Sequence, residues 1–207
     1  DLTYEGVNNS IRLGCLRQVE TLKEWFEKES KSPIMPIGLE KKLAIMLDDN
    51  LIFTGKYDKT ELIDEKKRLV RVIDYKTGAP DEHIKALESK SNDLASDECD
   101  DYFRQLVAYK LLFDNDKDQN HGFKVEEGVL VFVEPAKSTV AKYGLKKGEF
   151  INKTIAITDK KVKELEGVIK RVWQSIKKLN FEKLPQRDEK KCDKCDFDSI
   201  CWGQESK

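Results

Sequence analysis

The sequence has no apolar run long enough to span a bilayer, no signal peptide and no lipidation signal. Those absences point to a cytoplasmic, intracellular protein. Net charge is nearly lacking too: 38 Lys and Arg against 39 Asp and Glu leave −1, which gives no whole-molecule argument for nucleic acid, an anionic membrane or a basic partner. Five cysteines are an odd count in a chain that is neither secreted nor Cys-dense, so a disulfide framework is not expected. Internal repeats and low-complexity tracts are absent. What is present is 207 residues, 39% apolar and 37% charged, enough to bury one sizeable core or two small ones and too apolar for a disordered tail. The first residue is Asp rather than Met, as in a processed product or a piece of a larger chain.

The near-zero charge is a cancellation. Residues 1–136 hold 20 basic and 28 acidic side chains, residues 137–194 hold 17 and 8, and residues 195–207 hold 1 and 3. An acidic first part beside a basic stretch reads either as a metal-binding half next to a phosphate-facing half, or as lysines solvating one long helix.

Apolar positions Ile11, Cys15, Val19, Leu22 and Phe26 recur at helical spacing and predict an amphipathic helix over 11–28. A strand is expected over Leu39 to Leu47, a turn at Asp48-Asp49-Asn50, and a return strand from Leu51 to Thr60. Leu69 to Tyr75 is β-branched and mostly apolar, as in a central strand, and stops at Thr77-Gly78-Ala79-Pro80. Residues 81–100 are polar and weakly periodic, a long surface loop or weak helix that would suit a mobile flap. Tyr102, Leu106, Tyr109 and Phe113 mark a helix, Gly128 to Val133 a strand buried on both faces, and the order strand, helix, strand suggests a parallel crossover. After a further loop and strand over 135–157, Thr158 suits the N-cap of a helix over 158–179 whose apolar stripe includes Val162, Leu165, Ile169, Val172, Ile176 and Leu179.

Asp58 is expected at the end of one strand, with Asp74 and Lys76 at the end of the next. Strand side chains two apart share a face, so Asp74 and Lys76 point together with Tyr75 opposite. Carboxylates at adjacent strand ends repel unless they hold a cation. Two of them with a main-chain carbonyl suit Mg²⁺ or Mn²⁺, and an ammonium beside them can orient a water or neutralise a phosphate oxygen. On spacing alone Asp74 and Lys76 are as readily an ordinary solvated pair, D-x-K being short and common.

Gly55-Lys56-Tyr57-Asp58, then Val72-Ile73-Asp74-Tyr75-Lys76-Thr77-Gly78, then Gln105-Leu106-Val107-Ala108-Tyr109, together resemble the RecB/AddB-like branch of the PD-(D/E)XK nuclease superfamily, as in the C-terminal nuclease domain of UvrD/RecB-type helicase-nucleases. The resemblance spans roughly residues 36 to 135, and reaches the C-terminus if the cysteines are included. It implies an α/β, restriction-endonuclease-like core in which a central mixed β-sheet is flanked by helices, with a C-terminal cysteine knuckle. The implied organisation is a nuclease domain over 1–191, with its catalytic core at 36–135, and a Cys-rich knuckle at 192–207 on the same domain.

Carried over residue by residue, the resemblance makes Asp58 and Asp74 metal ligands, the Tyr75 carbonyl a third, and Lys76 the group that positions the attacking water. Glu40 matches an acidic position ahead of the first carboxylate that binds metal directly or through water; it also reads as a charged strand-end residue. Gln105 and Tyr109, four apart and so on one helix face, are implied to hydrogen-bond a phosphate or the main chain near the metal. The His that the family often carries ahead of the first carboxylate is lacking; His83 and His121 are expected to be solvated.

Cys192-x2-Cys195-x5-Cys201 resembles the C-terminal triplet of the iron-sulfur nuclease domains of AddB-like and CRISPR-adaptation nucleases, which implies a 4Fe-4S cluster. Its alternatives are Zn²⁺, or an empty site if the fourth ligand is missing. Cys15 stands upstream as that family requires, though on an apolar stripe where a small hydrophobe fits equally well; Cys99 reads as a free surface thiol, and a cysteine before Asp1 is the third possibility. The implied activity is Mg²⁺- or Mn²⁺-dependent hydrolysis of phosphodiesters in single-stranded DNA or at DNA ends, in DNA repair and recombination, beside a helicase motor in the parent chain or a partner. The alternatives are a stand-alone CRISPR-adaptation nuclease and a non-catalytic DNA-end-binding or scaffolding module.

Overall fold

A computed structural model describes residues 4–31, 34, 36–181 and 183–203, excepting the side chains of 4–15 and of Lys190. Two compact units divide at 169/170. The first opens with helix α1 (Tyr4–Glu29), followed by strands β1 (Pro36–Leu39), β2 (Lys42–Asp48), β3 (Leu51–Lys56), β4 (Lys59–Asp64) and β5 (Leu69–Lys76). Helices α2 (Pro80–Ser89), α3 (Asp101–Asn115) and α4 (Lys117–Asn120) lead to β6 (Lys124–Phe132), β7 (Asn152–Ala156) and α5 (Asp159–Lys177).

Five strands form a mixed sheet in the order β1-β4-β5-β6-β7. Only the central pair β5 and β6 is parallel, in register from Arg71 opposite Glu127 to Lys76 opposite Phe132, so a crossover must carry the chain back, and α2 and α3 supply it. The apolar composition of these two strands follows from their position: Val70, Val72, Val125, Leu130 and Phe132 are all essentially inaccessible. The expected single return strand over 51–60 is instead two. β3 pairs with β2 in a separate hairpin and β4 joins the main sheet, because Tyr57 drops into the core against Phe113 and bends the chain between them. Glu40, expected at the start of a strand, lies between β1 and β2 in a left-handed backbone conformation (φ 50°).

Helix α3 is set by its N-cap. Asp100 is buried and its carboxylate accepts from the Tyr102 and Phe103 amides at 2.9 and 3.3 Å. Gly128 of β6 then lets the helix lie close to the sheet: a Cβ there would stand 2.9–3.0 Å from the Leu106 side chain.

The stretch 81–100 is not a flap. Its first half is α2, and the remainder is held by a Ser91–Cys99 bridge, by burial of Leu94 and Cys99, and by Glu164, whose carboxylate accepts from the Leu94 amide at 2.9 Å and from Lys161 Nζ at 2.8 Å. Lys161 holds the Glu164 carboxyl below its ordinary value of 4.5. A lowered carboxylate contributes stability above its unfolded pKa and loses it as pH falls through the folded one, so this anchor releases only in acid. Glu164→Ala should speed hydrogen exchange at the Leu94 amide about tenfold near neutrality, with the wild type approaching the variant below pH 4.5; equal exchange at neutral pH would count against it.

The amphipathic stripe expected on α1 is not buried among the described residues: Val19, Leu22 and Phe26 are exposed, and the contact is made instead by Trp25, outside that stripe, which packs edge-on to Tyr75 at 5.7 Å; the side chains of Ile11 and Cys15 lie outside the described residues. The Thr158 hydroxyl caps α5 by accepting from the Lys161 amide at 3.3 Å. Within residues 170–207, Val172, Ile176 and Leu179 are exposed rather than buried, and two short helices follow, α6 (Glu189–Cys192) and α7 (Asp198–Trp202). Among the described residues no helix is long and apolar enough to cross a membrane.

Candidate active site

Even-numbered side chains of β5 face α3. Asp74 is 3% exposed, and its surroundings form a closed ring. Tyr109 Oη donates to Asp74 Oδ1 at 3.1 Å, Gln105 Nε2 donates to Tyr109 Oη at 2.8 Å, and Lys76 Nζ donates to Gln105 Oε1 at 2.8 Å. Lys76 Nζ closes the ring by approaching Asp74 Oδ2 at 2.5 Å. The Gln105 and Tyr109 side chains therefore engage Lys76 and Asp74. Burial, with the Asp74 and Asp58 charges behind it, pushes the Tyr109 phenol far up, so Tyr109 stays a proton donor to the carboxylate.

Asp58 enters from the link between β3 and β4. Pairing of β4 with β5 ends at Lys59 opposite Ile73, and one Asp58 carboxylate oxygen accepts from the Tyr75 amide at 2.8 Å, continuing the ladder where the strand stops. The Asp58 main-chain carbonyl accepts from the Glu40 amide at 2.8 Å. Glu40 thus touches the site through its backbone; its exposed carboxylate pairs with Lys56. The Tyr75 ring lies on the opposite sheet face against Trp25, as the period of two requires.

The carboxylates pass a test for a bound cation. Asp74 Oδ2 is fully buried and is paired with the Lys76 ammonium at 2.5 Å. The fit rests on the donor set: carboxylate oxygen is what a hard divalent ion takes, and Asp58, bonded to the Tyr75 amide, brings a second carboxylate to the end of the strand that carries Asp74. Among the described residues no three His, Cys, Asp or Glu side chains gather as a metal site.

Two contributors were missed in the sequence. Tyr102 lays its ring 4.0 Å from the Lys76 ammonium, a cation-π contact. His83, expected to be solvated, is packed against Tyr102 at 4.9 Å and Phe132 at 5.9 Å. Tyr102 precedes Gln105 by three residues, a spacing that places both on one helix face and was the available signal. His121 is exposed in a left-handed turn, as expected.

Cys192 is buried, Cys195 exposed and Cys201 half-buried; among the described residues no three Cys, His, Asp or Glu side chains gather around a common point, and the Cys15 side chain lies outside the described residues. Arg187 ties the intervening loops by pairing with Asp193 at 2.6 Å and Asp198 at 3.0 Å. Cys99 is not a surface thiol: it is 2% exposed, and burial pushes its thiol up.

A central sheet that brings an Asp-x-Lys strand end against a second carboxylate and a Gln/Tyr helix face defines a hydrolase of the metal-dependent nuclease class. The model of the PD-(D/E)XK nuclease superfamily matches residues 6–202, and the chain belongs to that superfamily. A crystal structure of a protein designated SSO0001 aligns over 98% of this chain and 75% of its own, at 17% identity and a TM-score of 0.38. No curated protein sequence matches significantly.

If the ring positions Lys76, then Tyr109→Phe and Gln105→Ala should each lower kcat about tenfold, the scale of one hydrogen bond to a charged group, with KM little changed. A matching rise in KM would instead assign these side chains to substrate binding.

Proposed function

We propose that the protein is a divalent-metal-dependent deoxyribonuclease acting on single-stranded DNA or DNA ends. The observation that carries this reading is the Asp74–Lys76–Gln105–Tyr109 ring, with Asp58 at the adjoining strand end. Asp58 and Asp74 hold the ion, with the Tyr75 carbonyl as a further ligand and Glu40 acting at most through water. When bound, Mg²⁺ or Mn²⁺ supplies positive charge against the negative charge that grows on the non-bridging and leaving oxygens of the phosphodiester. Lys76 orients the attacking water, Gln105 holds its ammonium, and Tyr109 fixes the carboxylate by donating to it. Basic residues after 136 supply phosphate contacts.

The order of the three motifs supports the RecB/AddB-like branch, and with it work beside a helicase motor in repair or recombination. For the cysteine triplet the support is its spacing alone; iron and sulfide analysis of anaerobically purified protein decides between a 4Fe-4S cluster and zinc, and protein holding neither rejects both. The activity is tested with end-labelled single-stranded DNA. Degradation should require Mg²⁺ or Mn²⁺ and stop with EDTA, whereas metal-independent binding without cleavage would leave a DNA-end-binding module as the function.

A further inference from the structure

A cavity of about 520 Å³ opens on the α1 side of the sheet, where Thr77 follows the end of β5, and is used by none of the groups described so far. It lies past the carboxyl ends of the parallel strands β5 and β6, where open α/β sheets bind ligands, and its volume is that of a small-molecule site. Leu22 of α1 faces Val133, Pro135 and Ala136 across it. Leu22 belongs to the α1 stripe that the fold leaves exposed. Arg17, Lys137 and Lys147 also line the cavity, against one carboxylate, Glu134.

The cavity is contiguous with the catalytic strand and is built in advance. Thr77, the residue after Lys76, forms part of the wall, and the Val133 amide donates to the Lys76 carbonyl at 3.0 Å. Asp81 clamps the loop after β6 by accepting from the Lys137 and Ser138 amides, both at 2.9 Å, and from the Ser138 hydroxyl at 2.5 Å. On its other side Ala136 exchanges main-chain hydrogen bonds with Gly148 and Glu149, each 2.8 Å.

Resting on the nuclease reading, we propose that this cavity receives one unstacked nucleobase of the strand being cut, past the strand end that carries Asp74 and Lys76. The apolar walls take the faces of the base, as apolar side chains do in sites for extruded bases. The three cations meet the flanking phosphates. A duplex enters only after unpairing that base, so the cavity makes the enzyme prefer single strands and frayed ends.

The experiment compares binding of fluorescein-labelled oligodeoxythymidylate with that of the same strand carrying abasic residues, by anisotropy in EDTA so that nothing is cut. The wild type should bind the abasic strand about tenfold more weakly, the scale of one stacked base. Leu22→Trp fills the cavity from an exposed helix position and should weaken binding of the base-bearing strand about tenfold while leaving the abasic strand unchanged. Arg17→Ala should weaken both and flatten the salt dependence. Equal wild-type affinity for the two strands, or equal weakening of both by Leu22→Trp, overturns the proposal. Cleavage is scored separately in Mg²⁺ and Mn²⁺: discrimination without cleavage supports the base site and rejects the nuclease reading, and cleavage without discrimination does the reverse.

Discussion

Lys76→Ala is expected to lower Mg²⁺-supported cleavage of single-stranded DNA by about 10²–10⁴-fold, the range for removing a group that positions or transfers a proton. The ammonium is held on three sides, by Gln105 Oε1 at 2.8 Å, Asp74 Oδ2 at 2.5 Å and the Tyr102 ring at 4.0 Å, so no other side chain of the ring can take its place. Its loss also leaves Asp74 buried beside no cation, which costs stability. Divalent metal should therefore raise the melting temperature of Lys76→Ala more than that of the wild type, because the ion then supplies the only neighbouring positive charge. Lys76→Arg keeps the charge with a planar head that does not reproduce the ammonium geometry; it should fold normally and remain nearly inactive. Wild-type rates in both variants would remove Lys76 from the chemistry.

The largest effect on stability is expected at Lys110, on α3 with Gln105 and Tyr109 but away from Asp58 and Asp74. It is 4% exposed, pairs with Asp114 at 2.9 Å and Asp159 at 3.3 Å, and donates to the Val125 carbonyl. Asp114 in turn accepts from the Val125 amide at 2.8 Å, so the pair clamps α3 to β6. Removing one partner of a buried pair costs about 3–5 kcal/mol, which for a chain of this size lowers the melting temperature by about 6–20 °C. Burial already pushes the Asp114 carboxyl above its ordinary 3.8 against the opposing pull of Lys110. A carboxyl raised in the folded state binds more protons there than when unfolded, so stability rises as pH falls through that raised value toward 3.8. The Lys110→Ala deficit in urea unfolding should accordingly shrink in mild acid, and Lys110→Met with Asp114→Leu should recover much of it. A pH-independent loss below about 1 kcal/mol would show that the clamp contributes no more than a surface pair.

Much of the site was legible because it is encoded at short range. A period of two put Asp74 and Lys76 on one strand face and turned Tyr75 to the other, and a spacing of four put Gln105 and Tyr109 on one helix face. The apolar run at Gly128–Phe132 identified a central strand, and the intervening helix a parallel neighbour. In 81–100 the helix offered as one of two readings is found as α2, but the anchoring of the rest was illegible for the complementary reason. Its order comes from Glu164, 70 residues from Leu94 in the chain, and from burial of Leu94 and Cys99 under elements that local composition does not reveal.

The sequence by itself determined which residues are candidates for the chemistry and which face of its own element each occupies, because faces follow from backbone geometry over a few residues. Only the tertiary structure decided that the two faces meet and that Gln105 and Tyr109 grip the lysine and the carboxylate. It also decided that Tyr57 splits one expected strand into two sheets, and that part of the α1 stripe stays exposed beside a cavity. Periodicity states that a surface is apolar or a side chain points inward; the partner is chosen by packing between segments far apart in the chain, where one close approach, such as Leu106 over Gly128, sets the register of everything around it.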